Sequence, residues 1–305
     1  MTVDLTDVPA ARADEPSGGR SPDRRRRSAE RVRVKIGPAF EYLTLTIVAV
    51  IVILPITTLL FASFKTTEEY STTSAFTPPQ NWLDFSNYQI AITQGQMLMG
   101  FFNTAVILLF SLVGTIIMGT LAAYGIDRFE FRGKRLVTGL FLLAALVPGV
   151  ATQVATFQVV NALGLFNTRG AAIALFIGTD IIAIYIFLQF LASIPRSLDE
   201  AARIDGAGHF RIYWQIIMPL LRPAIATVVI IKGIAIYNEF YIPFLYMPDP
   251  ELGTISTSLF RFVGPFGAQW EVLSAGAIVV IVPTLVIFLL LQRFIYRGLA
   301  AGAVK

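Results

Sequence analysis

Asp180, Lys232 and Glu239 stand inside long apolar stretches of the chain. A charge at the centre of a bilayer costs about 2.5–3.5 kcal/mol on insertion scales, so such groups face a cavity, a pathway or one another. At about 1.5 Å of rise per helical residue, Asp180 and Lys232 both fall near mid-span and can compensate each other. Glu239 falls nearer one end. Lys232 and Glu239 are two helical turns apart and share a side, with Ala235 and Ile236 close to the same stripe. Around Glu239 lie Tyr237, Asn238 and Tyr241. Amide and carboxylate groups beside flat rings suit a hydroxyl-rich solute, which needs hydrogen bonds and a face to stack on. The same groups can also form a structural polar pair between helices, or relay protons or ions in a gradient-driven transporter.

Other chemistries lack their parts. Nothing matches the Gly-x-x-x-x-Gly-Lys-Ser/Thr cradle that holds ATP phosphates, since Gly133-Lys134 has neither the upstream glycine nor the hydroxyl. A Gly-x-Ser-x-Gly elbow and a His-Glu-x-x-His pair are missing too. With no cysteine, disulfides are excluded and a structural zinc site is not expected, and the single histidine, His209, cannot build a metal centre alone and reads as a solvated loop residue. An enzyme is not expected, nor a cofactor held by this chain.

The elements that must position these residues are membrane helices. Hydrophobic residues make up 55% of the chain, charged ones 14%, and mean hydropathy is +0.68, outside the soluble range. Six apolar segments near the length of a bilayer crossing are expected at 39–63, 101–126, 136–160, 171–193, 223–247 and 275–296. Gly114, Gly119 and Gly125, Pro148 and Gly149, and Pro283 inside them permit close contact or a kink. Basic residues gather after alternate spans: Arg128, Arg132, Lys134 and Arg135, then Arg196, Arg203, Arg211 and Arg222, then Arg293, Arg297 and Lys305. The opposite side holds Lys65, Arg169 and Arg261. That bias puts both termini and the segment 197–223 in the cytoplasm of a cell whose plasma membrane the chain crosses.

Residues 1–36 are polar, proline- and glycine-containing, and carry the run Arg24 to Arg27; they are expected to be a disordered basic tail. Beside a span such a run touches anionic lipid or fixes orientation rather than binding nucleic acid, and the long basic region does not fit a cleaved signal. The segment from Lys65 to Gly100, with Pro78, Pro79, Trp82, Asn87 and Tyr88, reads as an ordered external loop with little regular structure.

The segment 197–223 reads as a bent pair of short helices. Ser197 and Glu200 have capping-box spacing, predicting a helix start. Gly206 and Gly208 predict its end through positive-φ turn residues. Phe210, Tyr213, Trp214, Ile217 and Leu220 then fall on one stripe of a second helix, with Arg211, Gln215 and Arg222 opposite.

Glu200-Ala201-Ala202, Asp205-Gly206-Ala207, Pro219-Leu220-Leu221 and Pro223 resemble the EAA loop of importer-type ABC transporter permeases. Ser63-Phe64-Lys65, the proline-rich loop reaching Asn87-Tyr88, and the tail Gly302-Ala303-Val304-Lys305 resemble the carbohydrate importer permeases of the maltose-transporter MalG type, over residues 37–305. The resemblance implies an all-helical transmembrane domain of six spans with a cytoplasmic coupling loop at 197–223. That loop, through Glu200, Ala201, Ala202, Asp205, Gly206, Ala207 and Phe210, is implied to dock on an ATPase. Asn238-Glu239-Phe240 resembles an element near the translocation path in the fifth span, and the tail is implied to reach between ATPase subunits. The implied partners are a second, homologous permease, two ATPase subunits carrying ATP-Mg, and an external solute-binding protein.

Overall fold

The computed structural model describes residues 23–303 apart from 150, 179, 265 and 266, with side chains from 40 to 286 and at 289. The chain divides into two units, Met1–Ile56 and Thr57–Lys305. Helix α1, Asp23–Ser63, starts in the first and ends in the second. Residues 23–36, expected to be disordered, are therefore helical in backbone; Arg, Ala, Glu and Lys after Pro22 are good helix formers. The same expectation for 1–22 lies outside the described residues. Within Phe40–Ile56, the Thr44 and Thr46 hydroxyls donate to the carbonyls of Phe40 and Tyr42, so neither leaves a free polar group in an apolar helix.

In the second unit, α2 (Thr67–Thr72) and α3 (Ser86–Gln94) lie in the segment expected to have little regular structure. That segment is knitted to the end of α1. Asn87 donates to the carbonyls of Ser63 and Lys65 at 3.1 and 2.8 Å, and the Ser63 hydroxyl lies 2.7 Å from that of Tyr88. Phe64 packs among Trp82, Phe85 and Tyr88. The Lys65 ammonium is buried and donates to the Thr73 hydroxyl and the Ser74 carbonyl.

Helix α4, Met97–Arg128, is the element the others are built on, packing against α7 (Arg169–Ile177), α8 (Ile181–Ser193), α12 (Arg222–Asn238) and α14 (Ile255–Ser258). Its glycines allow the close approach: a Cβ at Gly114 would sit 2.3 Å from Ile177, and one at Gly119 3.0 Å from Phe187. Gly125 faces open space. Further along, Asn103 on α4 donates to the carbonyls of Glu251 and Gly253 and accepts from Arg169, while Thr104 accepts from the Ile255 amide. The loop between α13 (Tyr241–Tyr246) and α15 (Trp270–Ala303) is thus held on α4. Two short 3-10 turns and a two-residue antiparallel ribbon, Val263 opposite Ala268, complete that loop.

Continuous crossings are fewer than expected. Among the described residues, Phe40–Ser63 and Met97–Arg128 are each long and apolar enough to span, and two bent pairs raise the total to four if each is one crossing. These pairs are Arg169–Ile177 with Ile181–Ser193, bent by 41°, and His209–Leu220 with Arg222–Asn238, bent by 70°. The expected span 136–160 is two helices, α5 (Lys134–Leu146) and α6 (Gln153–Ala162), because Pro148 and Gly149 stop the first. The span 171–193 breaks at Gly178 to Asp180. The span 223–247 breaks at Glu239 and Phe240, three residues before Pro243. The last, 275–296, lies within one helix, α15, which carries Pro283 inside it; most side chains of its second half lie outside the described residues.

Candidate functional site

Two places collect the residues singled out by sequence. The first is the elbow. Helix α9, Ser197–Ile204, starts where expected, but without the capping box: Arg196 is the N-cap and no side chain caps the end. The amides of Leu198, Asp199 and Glu200 turn instead to the carbonyls of Pro195 and Arg196, so the backbone satisfies the donors that Ser197 was expected to take. Asp199 and Glu200 in the first turn suit the positive end of the helix.

The end of α9 is a Schellman turn. The Ala207 amide bonds to the Ala202 carbonyl and the Gly206 amide to that of Arg203, with Gly206 at φ +80°. Gly208 is extended at φ −72°, so only the first of the two glycines meets the left-handed requirement.

Beyond it run α10 (His209–Ile212), a π turn (Tyr213–Ile217) and α11 (Met218–Leu220). The π turn widens the spacing, and the expected stripe splits. Ile212, Tyr213, Ile217 and Leu221 are buried against α4 and α8, whereas Phe210, Trp214 and Leu220 are exposed, Phe210 by 76%. Pro223 follows at the start of α12, where its missing amide costs nothing.

The elbow therefore has an inner and an outer face. Ala202 and Ala207 are half-buried against the core, and Asp199 is buried with its carboxylate 2.7 Å from Arg128 Nε. Glu200, Ala201, Asp205, Gly206 and Phe210 are exposed, with Ile204 at 87% and Trp214 beside them. Acidic side chains next to bare aromatic and aliphatic ones make a compact patch suited to a protein groove. His209, which sequence reads as a solvated loop residue, is exposed but opens α10, and its ring lies 5.0 Å from that of Phe129.

The second place is the broken middle of the bundle. Asp180 and Lys232 are paired at 2.8 Å, their side chains 12% and 22% exposed. Asp180 also caps α8 by accepting from the Ala183 amide, a role that the break before Ile181 opens to it. Glu239 is not in the same helical stripe as Lys232, because α12 ends at Asn238. Its carboxylate accepts from the amides of Tyr241 and Ile242 and so caps α13, and its carbonyl accepts from Ser256. Tyr237 is half-buried and donates to the Val280 carbonyl. Asn238 is exposed and bonds back to the Ile234 carbonyl, and Tyr241 is exposed. The structure thus brings Asp180 to Lys232 and gathers Asn238, Glu239 and Tyr241 at one helix break.

Sequence reasoning missed Asp199 and read Arg128 only as an orientation signal. The signal available was the i, i+3 spacing of Asp199 and Ala202, which sets both on the face of α9 away from Glu200 and Ile204.

The model of the family "Binding-protein-dependent transport system inner membrane component" matches residues 115–300. The chain belongs to this family. Among its relatives, the melibiose/raffinose/stachyose import permease protein MelC of Bacillus subtilis is 34% identical over 85% of this chain and 94% of its own. The galactooligosaccharides transport system permease protein GanQ of the same organism is 32% identical over 90% and 98%. The diacetylchitobiose uptake system permease protein NgcG of Streptomyces coelicolor is 30% identical over 88% and 89%. In fold, the chain is similar to a bacterial ABC transporter involved in the import of the acidic polysaccharide alginate, with TM-score 0.74 over 85% of this chain and 96% of that one at 21% identity. As a member of the family the chain is a multi-pass transport permease component of the inner membrane, not an enzyme.

Proposed function

We infer that the chain is one permease subunit of an ABC importer for an oligosaccharide, working beside a second permease, two ATPase subunits and an external solute-binding protein. Three relatives over most of their length are permeases named for oligosaccharides, which supports the solute class. On this reading the six apolar segments each cross the membrane, three of them as broken helices, with both termini and the elbow on the cytoplasmic side. ATP-Mg is bound by the partner, since no phosphate cradle occurs in this sequence.

The observation that carries the reading is the two-faced elbow. One face is fixed to α4 and α8 by Asp199, Ala202, Tyr213 and Ile217, and the other bares Glu200, Asp205, Phe210 and Trp214. A helix pair held rigidly from behind, with acidic and apolar side chains bared in front, can pass a partner's displacement to the bundle. Closure of the ATPases on ATP then moves the helices behind the elbow and exchanges inward for outward access. Asn238 and Tyr241, exposed at the break between α12 and α13, contribute to the solute path, with Tyr237 and the Asp180–Lys232 pair behind them as support.

The test is purification of the complex and uptake in proteoliposomes. The expected result is co-purified ATPase and uptake that needs both internal ATP and the external binding protein. Uptake without ATPase that collapses with a proton or sodium gradient would overturn it.

A further inference from the structure

The face of α4 turned to the elbow is one stripe. Thr120, Tyr124 and Arg128 are spaced four apart, and each meets the elbow. The Thr120 and Tyr213 hydroxyls are 2.7 Å apart, the Tyr124 and Tyr213 rings are 5.4 Å apart, and Arg128 Nε is 2.7 Å from Asp199 Oδ2. The first two contacts hold the π turn and the third holds α9. The Arg128 and Asp199 side chains are only 4% and 5% exposed, so their attraction is little screened. Helix polarity favours both: Arg128 is the last residue of α4, where carbonyls attract a cation, and Asp199 lies in the first turn of α9, where amides attract an anion. The Asp199 carboxylate has no hydrogen-bond partner among the described residues, so the ion pair to Arg128 is its one close contact of opposite charge there. Arg128 also donates to the Ile194 carbonyl at 3.0 Å, and Arg196 to that of Asp127 at 2.9 Å, which ties the entry of α9 to the end of α4 in both directions. Otherwise α9 touches the bundle through half-buried Ala202.

We propose that Arg128 and Asp199 are positioning residues forming a joint that makes α9 and α4 move as one body. A push on the elbow's outer face then reaches α4 instead of being absorbed in the turn at 194–197. The proposal rests on the docking role inferred above. Helix α4 is a fitting recipient because it packs against α7, α8, α12 and α14, so displacing its end displaces the bundle. Removing the Asp199 charge leaves Arg128 still paired with Asp127 at 2.9 Å and bonded to the Ile194 carbonyl, so the loss falls on α9, which keeps only its entry at Arg196 and its alanine contact and is freed to swivel there.

The chain has no cysteine, so spin labels at Leu121→Cys on α4 and Arg203→Cys on α9 report their separation without background. Labels are read on the purified full chain with whatever partners accompany it, together with solute imported per ATP hydrolysed. The parent is expected to give one narrow distance distribution. Asp199→Asn broadens it and lowers solute per ATP about tenfold, within the usual range of coupling between sites. Asp199→Glu restores both, and the exchange Arg128→Asp with Asp199→Arg restores them in part, since its charges oppose both helix ends. A distribution that stays narrow in Asp199→Asn with unchanged solute per ATP overturns the joint. Failure of every variant, Asp199→Glu included, to yield inserted chain overturns it too, because the pair then serves folding alone. A parent without ATPase removes the docking role, and the label distances still judge the joint.

Discussion

At the residue scale, charges inside this bundle are given partners, and the partners set the cost of change. Lys232→Met is expected to destabilise by about 3–5 kcal/mol, because Asp180 stays buried without its cation. The double change Lys232→Met with Asp180→Asn recovers most of that loss, as the amide still accepts from Ala183. Yield of folded, detergent-soluble chain and its thermal midpoint measure both. Glu239 behaves differently, since its carboxylate works as a helix cap. Glu239→Gln keeps an acceptor oxygen and stays near parental in midpoint, while Glu239→Ala costs about 1 kcal/mol. A solute contact at Glu239 or Asn238 predicts more, namely that Glu239→Gln or Asn238→Ala changes uptake rate or solute preference with assembly intact. These partners also weaken the alternative of a proton or ion relay: Asp180 is paired, and Glu239 is bound to two amides. The pairing of Asp180 with Lys232 was legible from depth along two spans; the capping role of Glu239 was not, because periodicity assumes a helix that in fact ends at Asn238.

At the element scale, breaks carry the design. The elbow needs Gly206 at φ +80°, where proline cannot sit and where its amide is bonded to the Arg203 carbonyl. Gly206→Pro is expected to leave the chain inserted while ATP hydrolysis proceeds without uptake; coupled transport at parental rates would contradict the docking role. In the bundle, Gly114→Val meets Ile177 and costs about 1–3 kcal/mol of overpacking, while the same change at Gly125 meets open space and is mild by comparison. Denaturation midpoints of the two variants separate them. Helix existence was readable from apolar runs and from the Asp-Gly turn. Continuity was not: Pro148 and Gly149 flagged a kink, but the breaks at Gly178 and at Glu239 have no sequence mark stronger than one glycine or a proline four residues on. The split of the Phe210 to Leu220 stripe escaped for a similar reason, since a π turn changes the period on which the stripe was drawn.

For the whole molecule, the parts divide by task. Near the end of α1, Ser63 and Lys65 are locked to Thr73, Ser74, Asn87 and Tyr88, which explains why those residues form one recognisable motif. At the opposite end of α4 from Asn103 and its loop contacts, Arg128 and the elbow form the other fixed point. Family membership was legible because turn chemistry writes the elbow into consecutive residues, Glu200 to Ala207. The inner face of that elbow was not, because Arg128 and Asp199 are distant in sequence and only the fold brings them together.

The central claim is that the outer face of the elbow is gripped by a separate ATPase. In the cysteine-free chain, a photo-crosslinker at Phe210→Cys or Ala201→Cys tests it directly, with Leu83→Cys on the segment between α2 and α3 as control. The account predicts ATPase adducts from both elbow positions and none from Leu83. Adducts from Leu83, or an ATPase that co-purifies yet never links to the elbow, would contradict it.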